Sequence, residues 1–387
     1  MHGTWPDLTE SDGTARSIVA AARQAAAAAA DRAPATDRDD GFPVDDVANL
    51  GRLGLLAAPL PRASGGVGLG EAEAAATLLE VLRLVGYGSL ALGRIYEGHV
   101  NALQLVLRYG TAGQHARLFA DSRDGHLFGV WNTESREGLA LVQTADGRAL
   151  RGGKTFASGA GFVSRALVTA RPAPGEPPLM LVVALDRGER ADLSAWRAHG
   201  MRASATGTVD LTGLPVTQAD ILGGPDDYHA EPHFSGGAWR FAAVQLGGIE
   251  AVLDAWRSHL RQTGRGEDPH QLARLGAGAG AAETARLWVA RAAERVAAGA
   301  EEPARTVAYV NLARLAVERA GLDVLEMAQR SVGLQGFLRD HPLERLGRDL
   351  ATYLRQPAPD RALTLAARHV LDESRPAGDL WAAGPGT

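Results

Sequence analysis

The spacing of apolar residues changes twice along the chain. From about residue 14 to 120 it follows a helix: Leu78, Leu79, Val81, Leu82 and Val85 recur three and four apart, as do Leu103, Val106 and Leu107. Pro59, Pro61, Gly65, Gly66, Gly68 and Gly70 predict an irregular connection ahead of those helices. From about 125 to 222 the texture is that of strands. Residues 139–144 and 149–156 flank Ala145-Asp146-Gly147, which predicts a hairpin. Residues 179–185 form one unbroken apolar run, as in a strand buried on both faces, and 208–212 alternate like a half-exposed one. Pro172, Pro174, Pro177 and Pro178 mark a loop. From about residue 234 the helical period returns. Val310, Ala313, Val317, Ala320, Val324 and Met327 share one helix face, Gly333 and Gly336 end it, and His341-Pro342 opens another segment. The tail after Ser374, rich in Pro, Gly and Ala, predicts a frayed end.

This pattern divides the chain into a helical block (1–122), a β block (123–225) and a second helical block (226–387). At 387 residues it can bury a large core without staples. Forty Lys and Arg stand against 45 Asp and Glu, a net charge of −5, with no basic run, which argues against nucleic acid or an anionic membrane as partner. Cysteine is absent, so disulfides, zinc–thiolate sites and thiol nucleophiles are excluded. Asp7, Glu10 and Asp12 do not fit a secretory leader, and the alanine run 25–30 is too short to span a bilayer; it predicts a surface helix. The expected location is cytoplasmic.

Several motifs lose to plainer readings. Gly276-Ala-Gly278-Ala-Gly280-Ala281 fits a loose dinucleotide pattern but lies between helical residues, so close helix packing accounts for it better. His229 and His233 are interrupted by Pro232, and no metal site is expected. Two strand ends say more. Trp131-Asn132-Thr133-Glu134 and Lys154-Thr155-Phe156-Ala157-Ser158 each set an aromatic beside a hydroxyl. A planar heteroaromatic ring needs such partners, an apolar face and donors for its oxygens and nitrogens. Two turns with capping hydroxyls explain the same residues, and composition alone does not separate the two.

Over about residues 39–371 the chain resembles the acyl-CoA dehydrogenase family. Gly54-Leu-Leu-Ala-Ala-Pro-Leu-Pro61 with Gly65-Gly66-Val-Gly68 looks like its first helix and loop, and the two strand ends look like its flavin-contacting ones. Gly200-Met-Arg202-Ala-Ser204, His270-Gln271, Ser331-Val-Gly333-Leu-Gln335-Gly336-Phe and Pro342-Leu-Glu344-Arg345-Leu-Gly-Arg348-Asp349 follow in the family's order. The resemblance implies an α+β multi-domain fold: an N-terminal α-helical domain, a middle β-barrel-like domain and a C-terminal four-helix bundle. It implies FAD between β domain and bundle, held by Trp131, Thr133, Phe156, Ser158, Arg261, His270, Gln271, Gly333, Gln335 and Gly336. The glycine turn would reach FAD across a subunit contact in a homodimer or homotetramer.

The first activity this implies is α,β-dehydrogenation of an acyl thioester or related small acyl substrate, in which a glutamate takes the α-proton. Its usual position holds Gln356 or Pro357 here, and the family's alternative position holds Trp239. A replacement base would be Glu231, Glu97 or Asp360. The alternative is oxygen-dependent hydroxylation, as in the dibenzothiophene-type monooxygenases that resemble this family and tend to place a histidine and a serine near the flavin; His99 and Ser158 would be those residues, although a hydrogen-bonded core histidine is the better reading of His99. A third reading is a flavoprotein that has lost catalysis. The partner for electrons would be an electron-transfer protein or oxygen itself.

Overall fold

In the computed structural model, which describes residues 13–299 and 302–382, small side chains decide how the first block packs. Asp7, Glu10 and Asp12 lie outside the described residues. Helix α1 (Gly13–Thr36) buries Ala22, Ala25, Ala26, Ala29 and Ala33. These alanines let it settle on α3 (Ala75–Gly88), so close that a side chain at Gly88 would begin 2.3 Å from the carbonyl oxygen of Ala26. The alanine run is helical, as expected, but faces the core rather than the surface. Between them lies α2 (Val44–Arg52), followed by the predicted irregular connection. Helix α4 (Leu90–Tyr109) is capped by Ser89 and α5 (Ala112–Arg123) by a Thr111–Gln114 capping box, both satisfying first-turn N–H groups. Helix α4 is buried over most of its length between α3 and the strands that follow.

The β block holds β1 (Phe128–Trp131), β2 (Glu134–Thr144), β3 (Gly147–Ala157), β4 (Arg165–Ala170), β5 (Leu179–Ala184), β6 (Ala191–Asp192), β7 (Gly207–Asp210), β8 (Pro215–Val216) and β9 (Ile221–Leu222). One sheet runs β1-β4-β5-β9, with β1 and β4 parallel; the other runs β2-β3-β7-β6, with β8 beside β3. The predicted hairpin is β2–β3, with Thr144 opposite Gly147, and β5 is covered on both faces as its apolar run requires.

The last block is α6 (His233–Gly236), α7 (Ala238–Gln262), α8 (Pro269–Ala297), α9 (Pro303–Val332), α10 (Pro342–Tyr353) and α11 (Pro359–Asp372). Helices α7, α8, α9 and α11 pack together, and α7 also packs on α3, joining the helical blocks. The predicted stripe on α9 is buried at Val310, Ala313, Val317, Ala320 and Val324, and partly at Met327. Gly333, at φ 72°, ends that helix. The tail departs from expectation: up to residue 382 it folds back on the bundle, because Trp381 packs edge-on against Tyr309 at 5.3 Å and Arg305 donates to the Ala382 carbonyl at 3.2 Å. No described helix is long and apolar enough to cross a membrane. Among the described residues no group of three or more His, Asp and Glu gathers around a metal position.

Within the glycine run of α8 only one member serves close packing. A Cβ at Gly278 would lie 2.7 Å from the Trp256 ring on α7, whereas Gly276 and Gly280 face open space. Gly276→Ala is therefore expected to stabilise by about 0.5–1 kcal/mol, through lost chain entropy in the unfolded state. Gly278→Ala should destabilise by about 1–3 kcal/mol, since Trp256 is fully buried and cannot withdraw. Urea denaturation of both variants checks this, and shifts of the same sign would reject it.

Candidate active site

At the ends of β1 and β3 the chain builds a shelf with one open aromatic face. Trp131 is buried and its indole N–H donates to the Ser158 carbonyl at 3.0 Å, tying the two strand ends together. The ladder between β3 and β7 slips between Lys154 and Ala157, and Phe156 takes a left-handed φ of 51° there. That backbone turn swings the Phe156 ring outward, where it is 63% exposed. Trp196 stands by it, perpendicular at 6.4 Å. Beside it lie exposed Thr133 and half-buried Ser158, whose hydroxyl accepts from Thr206 at 3.2 Å. Beneath the shelf the fully buried Lys154 ammonium donates to Thr169 at 2.9 Å and the Asn132 carbonyl at 3.2 Å, and pairs with Glu134 at 2.9 Å. It holds the Thr133 turn in place.

A second feature is a groove of about 1740 Å³ between α1, the loop after Trp196 and the bundle. Arg197, Gln262, Thr263, Gln335, Arg339 and His341 are among the side chains that line it. Arg261 and His270 are exposed at the facing ends of α7 and α8. Gln271 is instead internal: its carboxamide oxygen takes the Ser331 hydroxyl, which itself accepts from Trp256 at 2.6 Å. Gly336 is buried, and Gly333 makes the turn that presents Gln335.

The third feature lies on α4. Arg94, Glu97 and Asn101, spaced three and four apart, form a polar stripe on an otherwise buried helix. Arg94 pairs with Glu97 at 2.6 Å, Asn101 donates to the other oxygen of Glu97, and Arg240 from α7 donates to Asn101. The fully buried His99 points elsewhere. Its Nε2 donates to the Leu56 carbonyl at 2.7 Å and its Nδ1 accepts the Phe128 N–H at 3.1 Å, so the ring is a neutral bridge between a loop and β1. Burial pulls its pKa down to about 4. Glu231 is exposed, and both its oxygens are engaged by Ser235.

Residues 13–126 match the profile of the acyl-CoA dehydrogenase N-terminal domain, and residues 228–354 that of the C-terminal domain. The chain belongs to the acyl-CoA dehydrogenase family. It has the family's fold: a helical N-terminal domain, a middle domain of sheets and a helical C-terminal region. Dibenzothiophene monooxygenase of Mycolicibacterium goodii is 23% identical over 378 residues, covering 88% of this chain and 90% of that protein. An acyl-CoA dehydrogenase of Bacillus subtilis is 26% identical over 332 residues, covering 81% and 86%. TdsC of Paenibacillus sp. A11-2, solved with FMN and indole, superposes with a TM-score of 0.80 at 20% identity, covering 92% and 96%. The family's members are flavin-dependent enzymes, dehydrogenases or monooxygenases.

The residues of the shelf suit a flavin ring: the Phe156 ring is exposed, and Thr133 and Ser158 offer hydroxyls at the two strand ends that Trp131 ties together. The family's two base positions do not fit proton abstraction. Trp239 is buried on α7, and after α10 come half-buried Gln356, which donates to the Tyr353 carbonyl at 2.8 Å, and exposed Pro357. Asp360 is exposed in the first turn of α11. The stripe of Arg94, Glu97 and Asn101 went unnoticed in the sequence because His99 was the conspicuous residue of that helix. A search for polar residues at helical spacing inside an apolar helix would have found it.

Proposed function

We propose that this protein is a flavin-dependent monooxygenase on the acyl-CoA dehydrogenase fold, in preference to the α,β-dehydrogenation expected first. One observation carries this reading: neither of the family's base positions holds a carboxylate. Trp239 and Gln356 or Pro357 occupy the base positions, Glu97 is bound by Arg94 and Asn101, and Glu231 is held by Ser235. Loss of a general base lowers a proton-abstraction rate by about 10²–10⁴. When bound in reduced form, a flavin supplies the two electrons by which dioxygen gives one atom to the substrate and one to water.

The chain's own part is to bind and to exclude water. Phe156 offers its face to the ring, Thr133 and Ser158 offer hydroxyls, and Trp131 closes the shelf from behind. FAD, implied by the family resemblance, and FMN carry the same ring, and the groove bearing Gln335 and Arg339 has room for the rest of either. His99 is a positioning residue that fixes β1 against the loop carrying Leu56. Leu334, Phe337 and Leu338, all exposed beside the Gly333 turn, supply an apolar face for a homo-oligomer contact.

The test is oxygen use. Flavin-loaded protein, photoreduced and then exposed to air with a panel of small organic substrates, is expected to form an oxygenated product. Anaerobic mixing of the oxidised form with acyl-CoAs should leave the flavin absorbance unchanged. Anaerobic bleaching by any acyl-CoA would overturn the reading in favour of dehydrogenation. Phe156→Ala should lower bound flavin; unchanged occupancy would move the ring away from the shelf.

A further inference from the structure

The polar stripe on α4 is more basic than its surroundings can balance. Arg94 and Arg240 are both half-buried, and the carboxylate between them is Glu97. The bonds form a single chain, from Arg94 to Glu97, from Asn101 to Glu97, and from Arg240 Nε to Asn101. Both oxygens of Glu97 are thereby spent, one on each side. Arg240 uses only its ε edge, and no carboxylate among the described residues pairs with it. Arg108, further along the same helix, adds positive charge toward Arg240 and is itself turned to His233 at 2.8 Å. Arg94 keeps 26% of its side-chain surface accessible.

A half-buried guanidinium with no carboxylate on its outer edge is a ready partner for an anion. Two further donors at this place also lack a partner: the Tyr353 hydroxyl and the Trp239 indole N–H are buried and unbonded. The Tyr353 phenol lies within electrostatic reach of Arg94 and Glu97, and its backbone carbonyl is held by Gln245 and Gln356, at 2.9 and 2.8 Å. Tyr353 is itself buried at the end of α10. Donors outnumber acceptors here, and the net charge is positive. A fatty acyl chain would gain nothing from such a lining.

We propose that this basic cluster receives an anionic group of the substrate, a carboxylate, on the free edge of Arg240 with Arg94 and the Tyr353 hydroxyl beside it. This rests on reading the space over α4 as the substrate cavity. A carboxylate matches the planar fork of a guanidinium with two parallel hydrogen bonds, and a phenol completes its lone pairs.

The test is equilibrium binding to the purified protein with its flavin, without turnover, so its result is independent of whether oxygen is consumed. Short carboxylates from propionate to octanoate, and benzoate, are each titrated against their uncharged amides, by tryptophan fluorescence and calorimetry. At least one carboxylate is expected to bind tighter than its amide by about tenfold or more, the scale of a charge-assisted bidentate pair. Arg240→Gln should remove that preference, Arg240→Lys should keep part of it, and Arg330→Gln, on an exposed face of α9, should leave it intact. Should Arg240→Gln not fold, the wild-type comparison and the lysine variant decide. Equal binding of every acid and amide would overturn the proposal. So would a preference that survives in folded Arg240→Gln, or one matched by sodium chloride at the same ionic strength.

Discussion

Acidification is expected to remove about 2 kcal/mol of stability through His99 alone by pH 5, and about 3 kcal/mol by pH 4. The sign follows from where the proton binds. In the unfolded chain the ring titrates near its ordinary 6.5, whereas in the fold burial holds it near 4. Between those values the unfolded state takes up a proton that the folded state refuses. The stabilisation is complete above pH 6.5 and falls as pH drops toward 4. A proton on Nδ1 would also face the Phe128 N–H, a donor against a donor. His99→Gln isolates this effect, since its amide can donate to Leu56 and accept from Phe128 without titrating. Urea denaturation at pH 7.5 and pH 5 should show wild type losing about 2 kcal/mol more than His99→Gln. Equal losses would mean that burial does not hold the ring neutral, and would reopen its reading as the histidine near the flavin.

The elements of this fold were legible wherever apolar spacing has a period, because burial and periodicity are the same fact seen twice. The α9 stripe and the β2–β3 hairpin stand where the residues put them. Alanine misled: it signals helix without saying which face is inside, and the run in α1 proved to be core. In the site, local sequence showed residue types but not their partners. Phe156 and Thr133 could be named as shelf residues, yet only the slipped ladder shows why the Phe156 ring is uncovered. His99 drew attention as a titratable group, while its neighbours Arg94 and Glu97 on the same helix pair with each other and leave the charge of Arg240, on α7, unbalanced. Gln271 has a type suited to binding, but Ser331, 60 residues away, already occupies it. Such distant pairings leave no local trace.

The joint around Gly200 is a distant pairing with a large expected effect. Gly200→Val is expected to destabilise by about 3 kcal/mol or more, because its side chain would begin 2.1 Å from the Arg348 carbonyl oxygen, in backbone that cannot yield. Three parts of the chain meet there. The Gly200 N–H donates to Thr352 at 3.0 Å and the Met201 N–H to Asp349 at 2.7 Å, both on α10. Asp37, just past α1, pairs with Arg202 at 2.8 Å and with Arg348 at 2.6 Å. From this joint a chain of hydroxyls leads to the shelf: Ser204 stands within hydrogen-bond reach of both the Met201 carbonyl and Thr206, to one of which it donates, and Thr206 donates to Ser158. Pushing α10 away from Gly200 should therefore loosen Ser158 as well as lower stability. Gly266→Val, in open space on an exposed loop, is the matched control and should change neither. Denaturation midpoints report the joint, and bound flavin after purification reports the shelf. A Gly200→Val protein with the midpoint of the Gly266→Val control would reject the joint. One that is destabilised but retains full flavin would sever the joint from the shelf.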